Sequence, residues 1–439
     1  MRRQIPPNRT PESSFGVLIV SDNASAKFGG EAILPLHYFR LLRERGVRVW
    51  LVAHARTRAE LSELFPDEHR IHYVEESPLH TWLWRVGKLL PTQLAHMTTG
   101  FALRLAVQVT QRRIVRRLIA SEGIDIVHQP TPVSPCEPSF ICDVGAPVIV
   151  GPMNGGMEYP PAFQPHRGWV EKVLFQFGRI QAPFLNRVLP GKRKAALLLV
   201  ANERTRAALP RGVCDRVELV GENGVELDLW TCDPNRRENS QAGPVTFAFV
   251  GRLIPLKAVD LLLEAFAIAS ASAPMRLVII GDGEDRHQLE AKAAALFEAR
   301  PESPVRFTGW ITQTACAREL ADADCLVMPS VRDCGGAVLL EAMAMAKPVI
   351  ATAWGGALEY VDDSCGVLVR PDNRDALVEG FAQAMVRLAA SPDERAAMGR
   401  AGRRRIERYY DWEAKADRML GIYQEVLGSV PMQTSVTVA

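Results

Sequence analysis

The sequence predicts an α/β protein with two doubly wound domains, each built on a parallel sheet between helices. The chain has 439 residues, which is too long for one ordinary core and suits two domains of about 200 residues each. Hydrophobic residues make up 47% and charged residues 23%, as in globular proteins. Short apolar runs rich in β-branched residues alternate with helical segments along the chain, which is the pattern of a parallel sheet covered on both faces.

The first half begins with a strand, a helix and a second strand. The strand at residues 15–20 is apolar throughout, Gly29 and Gly30 precede the helix, and Gly46 ends it before the strand at 47–52. More strands are predicted at 124–127, 147–150, 196–200 and 217–220. We therefore expect one Rossmann-like domain over residues 1–228.

A polar stretch at residues 228–243 predicts a linker, and a second series of strands and helices follows it. Its strands are predicted at 245–250, 277–280, 305–308, 325–328, 348–352 and 366–369. This predicts a second Rossmann-like domain at 244–408 and a last helix at 409–430 that crosses back to the first domain. Two such domains predict a cleft between them as the ligand site.

Several classes of protein are disfavoured by composition and spacing. The net charge of +2 gives no sign of nucleic-acid binding. The eight cysteines form no C-x-x-C pair and the histidines no H-x-x-x-H pair, so we expect no metal site. No G-x-G-x-x-G follows the first strand, which disfavours a dinucleotide oxidoreductase. The polar N-terminus lacks the apolar core of a signal peptide, so we expect a cytoplasmic protein.

The most informative segment is 329–350. Asp333 precedes Gly335 and Gly336, a helix is predicted from Ala337, and Glu341 lies eight residues after Asp333. Glycines at a helix N-terminus expose backbone N–H groups beside the positive end of the helix dipole, which suits a diphosphate. On this segment alone, a structural turn with acids that compensate the helix dipole is an equal alternative.

Four more segments accompany this one, and together they resemble the signatures of the large retaining glycosyltransferase family 4, whose fold is GT-B. Asp333 and Glu341 match its E-x7-E acids, with Asp in place of the usual Glu and Cys334 at an often aromatic position. Residues 251–257 are similar to its G-R-L-x-x-x-K-G element, with Ala258 replacing the last glycine. Residues 281–283, 305–309 and 223–226 resemble its G-D-G, V-x-F-x-G and N-G-V-[DE] elements. In the first half, Gly29 and Gly30 resemble its first glycine loop, and residues 125–128 its D-[IV]-[VI]-H strand end.

The resemblance implies a metal-independent, retaining hexosyltransferase that needs no cofactor and moves a sugar from a nucleoside-diphosphate (NDP) sugar to an acceptor. The implied catalytic residues are Arg252, Lys257, Asp333, Glu341 and His128. The implied donor-binding residues are Gly29, Gly30, Gly251, Gly281, Gly309, Cys334, Gly335, Gly336 and Ala337. The acceptor is expected to be a glycan or lipid-linked intermediate of cell-surface or exopolysaccharide synthesis. The alternatives are an epimerase or a phosphorylase on the same fold, or a non-catalytic nucleotide-sugar binder; His128 is alternatively a hydrogen-bonded core residue.

The distribution of charge suggests an anionic partner for the first half. Residues 1–220 carry 29 Lys and Arg against 19 Asp and Glu, whereas the remaining residues carry 23 against 31. Residues 104–117 and 169–194 mix basic with apolar or aromatic side chains, which suits an anionic membrane surface. We therefore expect a peripheral protein at the inner membrane face; amphipathic helices with a solvated basic face are an equal alternative.

Overall fold

The computed structural model describes residues 15–28, 30–90, 95–164, 182–231 and 243–429. These residues form two compact units. The described residues of the first belong to the ranges Met1–Gly156, Arg167–Glu222 and Ala416–Ala439, and those of the second to Met157–His166 and Asn223–Lys415. Each unit contains a parallel sheet with helices, so the predicted pair of Rossmann-like domains is confirmed.

In the described part of the first unit, seven parallel strands have the order β3-β2-β1-β4-β5-β6-β7. They are β1 Gly16–Val20, β2 Arg48–His54, β3 Ile71–Val74, β4 Ile126–Gln129, β5 Val148–Met153, β6 Leu197–Val200 and β7 Val217–Leu219. The order reverses between β1 and β4, which is the topology of a doubly wound sheet. Every residue of β1 is buried, as expected for a strand covered on both faces.

The helices of this unit follow its strands. They include α1 Gly30–Glu44, α2 Arg58–Leu64, α3 Pro78–Gly87, α4 Phe101–Glu122 and α5 Glu203–Ala207. Helix α4 buries Val107, Val115 and Leu118 in the core and leaves Arg113, Arg116 and Arg117 exposed. This is an amphipathic helix packed within the unit, with a solvated basic face.

Two basic residues of the segments that were predicted to face a membrane, Lys192 and Arg112, donate hydrogen bonds to backbone carbonyl groups of the first unit. Lys192 is wholly buried, and its Nζ donates to the carbonyl oxygens of Ser134 and Pro135 at 2.8 and 3.1 Å. Arg112 donates to the carbonyl oxygen of Cys142. The interpretation of Lys192 as part of a basic surface was therefore wrong, because its side chain is buried. The two backbone carbonyl groups replace water as hydrogen-bond partners of its amino group. Residues 169–181 of the same segment lie outside the described residues.

In the described part of the second unit, six parallel strands have the order β10-β9-β8-β11-β12-β13. They are β8 Val245–Val250, β9 Met275–Ile280, β10 Val305–Gly309, β11 Cys325–Met328, β12 Val349–Thr352 and β13 Gly366–Val369. The predictions for 245–250, 325–328 and 366–369 match the observed bounds. The order reverses between β8 and β11, which pair through Cys325 with Phe247 and Leu326 with Ala248.

The helices of the second unit are α6 Val259–Ala269, α7 Arg286–Leu296, α8 Gln313–Asp322, α9 Ala337–Ala344, α10 Ala357–Tyr360, α11 Arg374–Ala390 and α12 Pro392–Tyr409. The last helix, α13 Trp412–Ser429, begins in the second unit, and its residues from Ala416 onward belong to the first. Within the described ranges, none of the helices combines the length and apolar character that crossing a membrane requires.

Candidate functional site

The candidate site lies where the strand order of the second sheet reverses. In open parallel sheets, ligands bind outside the carboxyl ends of the strands at such a reversal. Gly251, Arg252 and Lys257 follow β8, and the segment from Asp333 to Ala337 follows β11. Residues predicted from separate motifs are therefore brought to the same edge of one sheet by the topology.

Three of the predicted glycines allow the strand ends at this edge to approach each other. The N–H of Gly251 donates to the carbonyl oxygen of Ile280 at 3.0 Å, and that of Gly281 to the carbonyl oxygen of Gly309 at 3.1 Å. A Cβ atom on Gly281 would lie 1.9 Å from the carbonyl oxygen of Gly251, so a larger residue would displace backbone. These glycines have a packing role; their contact with a donor stays a prediction.

An ion pair between Lys257 and Asp333 spans the strand reversal. Lys257 ends a 3-10 turn at Pro255–Lys257, and each side chain of the pair is 17% exposed. The second carboxylate oxygen of Asp333 accepts a hydrogen bond from the N–H of Gly336 at 3.0 Å. Asp333 thus contacts both the ammonium group of Lys257 and the backbone of Gly336, the residue that precedes helix α9.

The beginning of α9 presents further positive polarity beside this pair. Gly336 adopts φ 56° and ψ 40°, a left-handed conformation that favours glycine. The first-turn N–H groups of a helix have no acceptor within the helix, and the helix dipole adds partial positive charge there. Cys334, Gly335 and Ala337 are all partly exposed around this turn. Together with Lys257, this end of α9 has the chemistry of an anion site.

Glu341 lies one turn into α9, as the spacing predicts, and is partly buried. Within the described residues its carboxyl group has no hydrogen-bond or ion-pair partner, and burial raises its pKa to about 7. Cys316 of α8 lies near it: burial and then the charge of Glu341 raise the pKa of this thiol to about 12. A partly buried carboxyl group with a strongly raised pKa beside an anion site is typical of functional positions.

Arg252 is exposed on the loop that leads from β8 to Lys257. Its guanidinium forms no hydrogen bond or ion pair with another residue of the described part of the chain. An unengaged guanidinium on this loop remains available to an anion, since it stays charged and offers several N–H donors.

His128 ends up in the core of the first unit and is fully buried. Its Nε2–H donates to the carbonyl oxygen of Gly151 at 2.7 Å, and its Nδ1 accepts from the hydroxyl of Tyr423 at 2.7 Å. Burial lowers its pKa to about 4. Neither nitrogen can take a proton from a substrate in this conformation, so the geometry favours the core-histidine alternative and gives the catalytic role no support.

The remaining predicted residues are in the first glycine loop. Gly29 lies outside the described residues, and Gly30 is the first residue of α1. Among the described residues, no group of three His, Cys, Asp or Glu side chains could hold a metal ion. Asp324, part of a D-x-D sequence, instead accepts a hydrogen bond from the N–H of Thr246 at 2.8 Å.

Comparison with known proteins places this site in a family. A family model described as glycosyl transferases group 1 matches residues 244–391, the range that contains Lys257, Asp333 and Glu341. A GDP-mannose-dependent alpha-(1-6)-phosphatidylinositol dimannoside mannosyltransferase of Mycobacterium tuberculosis is 30% identical over 284 residues, which cover 60% of this chain and 69% of that protein. The chain belongs to the group 1 glycosyltransferases.

Other relatives of this group 1 glycosyltransferase match over shorter ranges. A GDP-mannose-dependent monoacylated alpha-(1-6)-phosphatidylinositol monomannoside mannosyltransferase of Corynebacterium glutamicum is 34% identical over 181 residues, 39% of this chain and 45% of that protein. The chain spans about half the length of most of the curated relatives it matches.

Solved structures match over nearly the whole chain. The crystal structure of Anabaena Alr3699/HepE in complex with UDP has a TM-score of 0.64 and 18% identity, and the match covers 94% of this chain and 100% of that one. At this identity the likeness concerns the fold alone. The fold of this group 1 glycosyltransferase is therefore of the GT-B type, as the motifs implied.

The sequence analysis did not identify a second glycine pair, Gly355 and Gly356, that packs against the loop at residues 333–336. The N–H of Gly356 donates to the carbonyl oxygen of Asp333 at 3.0 Å. A Cβ atom on Gly355 would lie 2.5 Å from that oxygen, and one on Gly356 would lie 2.7 Å from the carbonyl oxygen of Cys334. The available signal was two glycines soon after the buried strand β12, at the same edge of the sheet.

The loop also packs against residue 223 of the N-G-V-E motif. The side-chain amide of Asn223 donates to the hydroxyl of Tyr360 at 3.0 Å. A Cβ atom on Gly335 would lie 2.7 Å from the Nδ2 atom of Asn223. The motif therefore contributes an amide that limits the size of the residue at position 335.

Proposed function

We propose that this chain is a retaining glycosyltransferase that moves a sugar from an NDP-sugar to an acceptor without a metal ion. The observation that carries the proposal is the arrangement of Lys257, Asp333 and Gly336 at the strand reversal of the second sheet. The donor class has further support, because Anabaena HepE was crystallised with UDP and the two relatives above are named for GDP-mannose.

In the proposed reaction, the diphosphate leaves as negative charge accumulates on it. Lys257, Arg252 and the N–H groups at the start of α9 stabilise that charge, which replaces the role of a metal ion. Asp333 contacts hydroxyl groups of the transferred sugar, and Glu341 accepts hydrogen bonds from the ribose. The acceptor hydroxyl attacks on the face from which the diphosphate departs and gives its proton to the departing phosphate oxygen, so the configuration is retained and no protein nucleophile is required.

The test of this site compares two lysine–carboxylate pairs of the same unit. Lys257→Ala should weaken UDP or GDP binding about 10- to 100-fold by calorimetry and remove most NDP-sugar turnover, because one charged partner of the leaving group is lost. Lys292→Ala is the matched control, since Lys292 pairs with Glu264 instead. Wild-type affinity and turnover in Lys257→Ala would refute the site.

The competing activities are separated by what the reaction requires. A transferase releases nucleoside diphosphate only when an acceptor is present, whereas an epimerase converts the NDP-sugar without releasing nucleotide. A phosphorylase requires inorganic phosphate, and a non-catalytic binder takes up the donor without turnover. Full activity in the presence of a chelating agent is expected if diphosphate departure needs no metal ion.

The acceptor is proposed to be a glycan or lipid-linked intermediate of cell-surface or exopolysaccharide synthesis, reached by peripheral attachment to the inner membrane face. Helix α3 supports attachment. Leu79 and Trp82 are 52% and 59% exposed, and Leu89, just past the helix, is 84% exposed. Leu79 and Trp82 are three residues apart and share one face of the helix, and Arg85 and Lys88 are exposed nearby. Apolar side chains flanked by cations suit an anionic bilayer surface.

A further inference from the structure

The first unit contains a pocket of about 770 Å³ at the carboxyl edge of its sheet. Asp22, His54 and Thr131 line it from the ends of β1, β2 and β4. Arg104 lines it from α4 and Trp84 from α3. The pocket therefore lies at the strand reversal of this sheet, between β1 and β4, where an open parallel sheet binds ligands.

The charge of Glu137 acts on two other carboxyl groups of the pocket, those of Asp22 and Glu31. Burial raises the pKa of Asp22 to about 6, and the charge of Glu137 adds to this effect while Arg56 opposes it. Partial burial and again the charge of Glu137 raise the pKa of Glu31. Glu137 is paired with Arg104 at 2.5 Å, and Asp22 accepts a hydrogen bond from Gln111 at 3.0 Å. The pocket thus holds several carboxylate acceptors with limited compensation by cations.

Two buried histidines supply donors on the same lining. His54 and His80 are 6% and 7% exposed, and their rings lie 6.1 Å apart. Each Nδ1 accepts a backbone N–H at 3.3 Å, from Arg56 and from Ser77 respectively. A neutral imidazole whose Nδ1 accepts carries its hydrogen on Nε2. Within the described residues neither Nε2 has a protein partner, so each ring has one unused N–H donor.

The balance of charge in this pocket differs from that of the first half as a whole. Its lining contains four acids, Asp22, Glu31, Glu76 and Glu137, against the two cations Arg56 and Arg104. The exposed arginines of α4 are not part of it. A phosphate group would meet net negative charge there, whereas sugar hydroxyls can donate to the carboxylates and accept from the imidazole N–H groups.

We infer that this pocket binds the acceptor through a polyhydroxylated group without phosphate, and that an amine on this group strengthens binding. The inference rests on the proposed function and specifies its acceptor. Trp84, half exposed on the lining, supplies apolar ring surface for the C–H face of a sugar. The basic surface of the first half predicts an anionic partner, whereas the lining of this pocket favours an acceptor group without negative charge.

The test uses the full-length protein and ligand-observed NMR titration with glucose, glucosamine and glucose 6-phosphate. The expected order of affinity is glucosamine, glucose, glucose 6-phosphate, with the phosphorylated sugar about tenfold or more weaker than glucosamine. Asp22→Asn and Glu31→Gln should each reduce the ratio of the affinity for glucosamine to that for glucose 6-phosphate about threefold or more. Glu63→Gln, an exposed acid of α2, should leave it unchanged.

Two results would overturn the inference. The first is glucose 6-phosphate binding at least as tightly as glucose, and the second is no binding of any of the three sugars. UDP binding is measured on the same sample, because it reports on the second unit. If UDP binds while either result is found, the acceptor inference fails and the proposed function stands; if UDP does not bind, the proposed function fails.

Discussion

Asp333 has two partners within the protein, and both are groups that the proposed function assigns to the donor diphosphate. Its carboxylate pairs with Lys257 and accepts from the N–H of Gly336. The family 4 motif that this segment resembles has a longer Glu at this position, whereas the Asp of this protein accepts from the N–H three residues ahead. Asp333 therefore holds Lys257 beside the start of α9, and a bound diphosphate would share both donors with it.

Glu341 provides a prediction on pH and stability. Its pKa in the folded protein is about 7, above the ordinary 4.5, so folding opposes its ionisation. Its contribution to stability is fully present below pH 4.5 and is lost as the pH rises through 7. Glu341→Gln should therefore raise the free energy of unfolding by about 3 kcal/mol at pH 8 and by little near pH 4.5.

Chemical denaturation at the two pH values measures this difference, with Glu298→Gln as the control because its carboxyl group is exposed on the same unit. An equal effect of Glu341→Gln at both pH values would contradict the raised pKa.

The same variant should bind nucleoside diphosphates less tightly, since an amide is a weaker acceptor than a carboxylate for ribose hydroxyls.

The position of a candidate site residue could be predicted when its signal was local, whereas its role stays a prediction. Lys257 and Asp333 each stand in a short motif that follows a strand, and parallel topology brings such loops to one edge. The partners of His128 carry no local signal, because Gly151 and Tyr423 are 23 and 295 residues away in the chain. Those contacts depend on tertiary packing, which spacing alone does not reveal.

At the scale of elements, most strands were predictable because they contain several apolar, often β-branched, residues in a short run. All six strands of the second sheet were predicted: β11 and β12 are apolar or small throughout and wholly buried, whereas edge strand β10 contains an exposed Arg306. Strand β3 was missed: it lies at the edge of its sheet, has only four residues, and includes two that are partly exposed. Helix α3 was missed as well, although Ser77 caps its N-terminus and Pro78 begins it.

Helix α3 provides a prediction on membrane attachment. Trp82→Ser should reduce flotation with anionic vesicles about fivefold, because an exposed aromatic of this face no longer enters the bilayer interface. Trp310→Ser is the matched control, since Trp310 is 76% exposed in the second unit. Equal flotation of wild-type protein and Trp82→Ser, or no preference of the wild type for anionic over neutral vesicles, would contradict attachment through α3.

At the scale of the whole molecule, the first unit is completed by the end of the chain. Helix α13 starts in the second unit, and from Ala416 onward its described residues belong to the first. There Tyr423 is fully buried, Asp417 pairs with Arg45, and Glu425 lies 3.6 Å from Arg216. A core that includes residues so distant in sequence cannot be inferred from a continuous domain range such as 1–228.

The hydroxyl of Tyr423 provides a prediction on the stability of the first unit. In Tyr423→Phe the buried Nδ1 of His128 loses its donor, while Nε2 remains committed to the carbonyl oxygen of Gly151. An unsatisfied buried acceptor costs about 1–3 kcal/mol, which lowers the unfolding temperature of a unit of this size by about 2–4 °C per kcal/mol. Tyr409→Phe is the control, because Tyr409 is 55% exposed. Calorimetry should show the lower temperature only for Tyr423→Phe, with UDP binding unchanged; equal unfolding temperatures would mean that the hydroxyl does not stabilise this core.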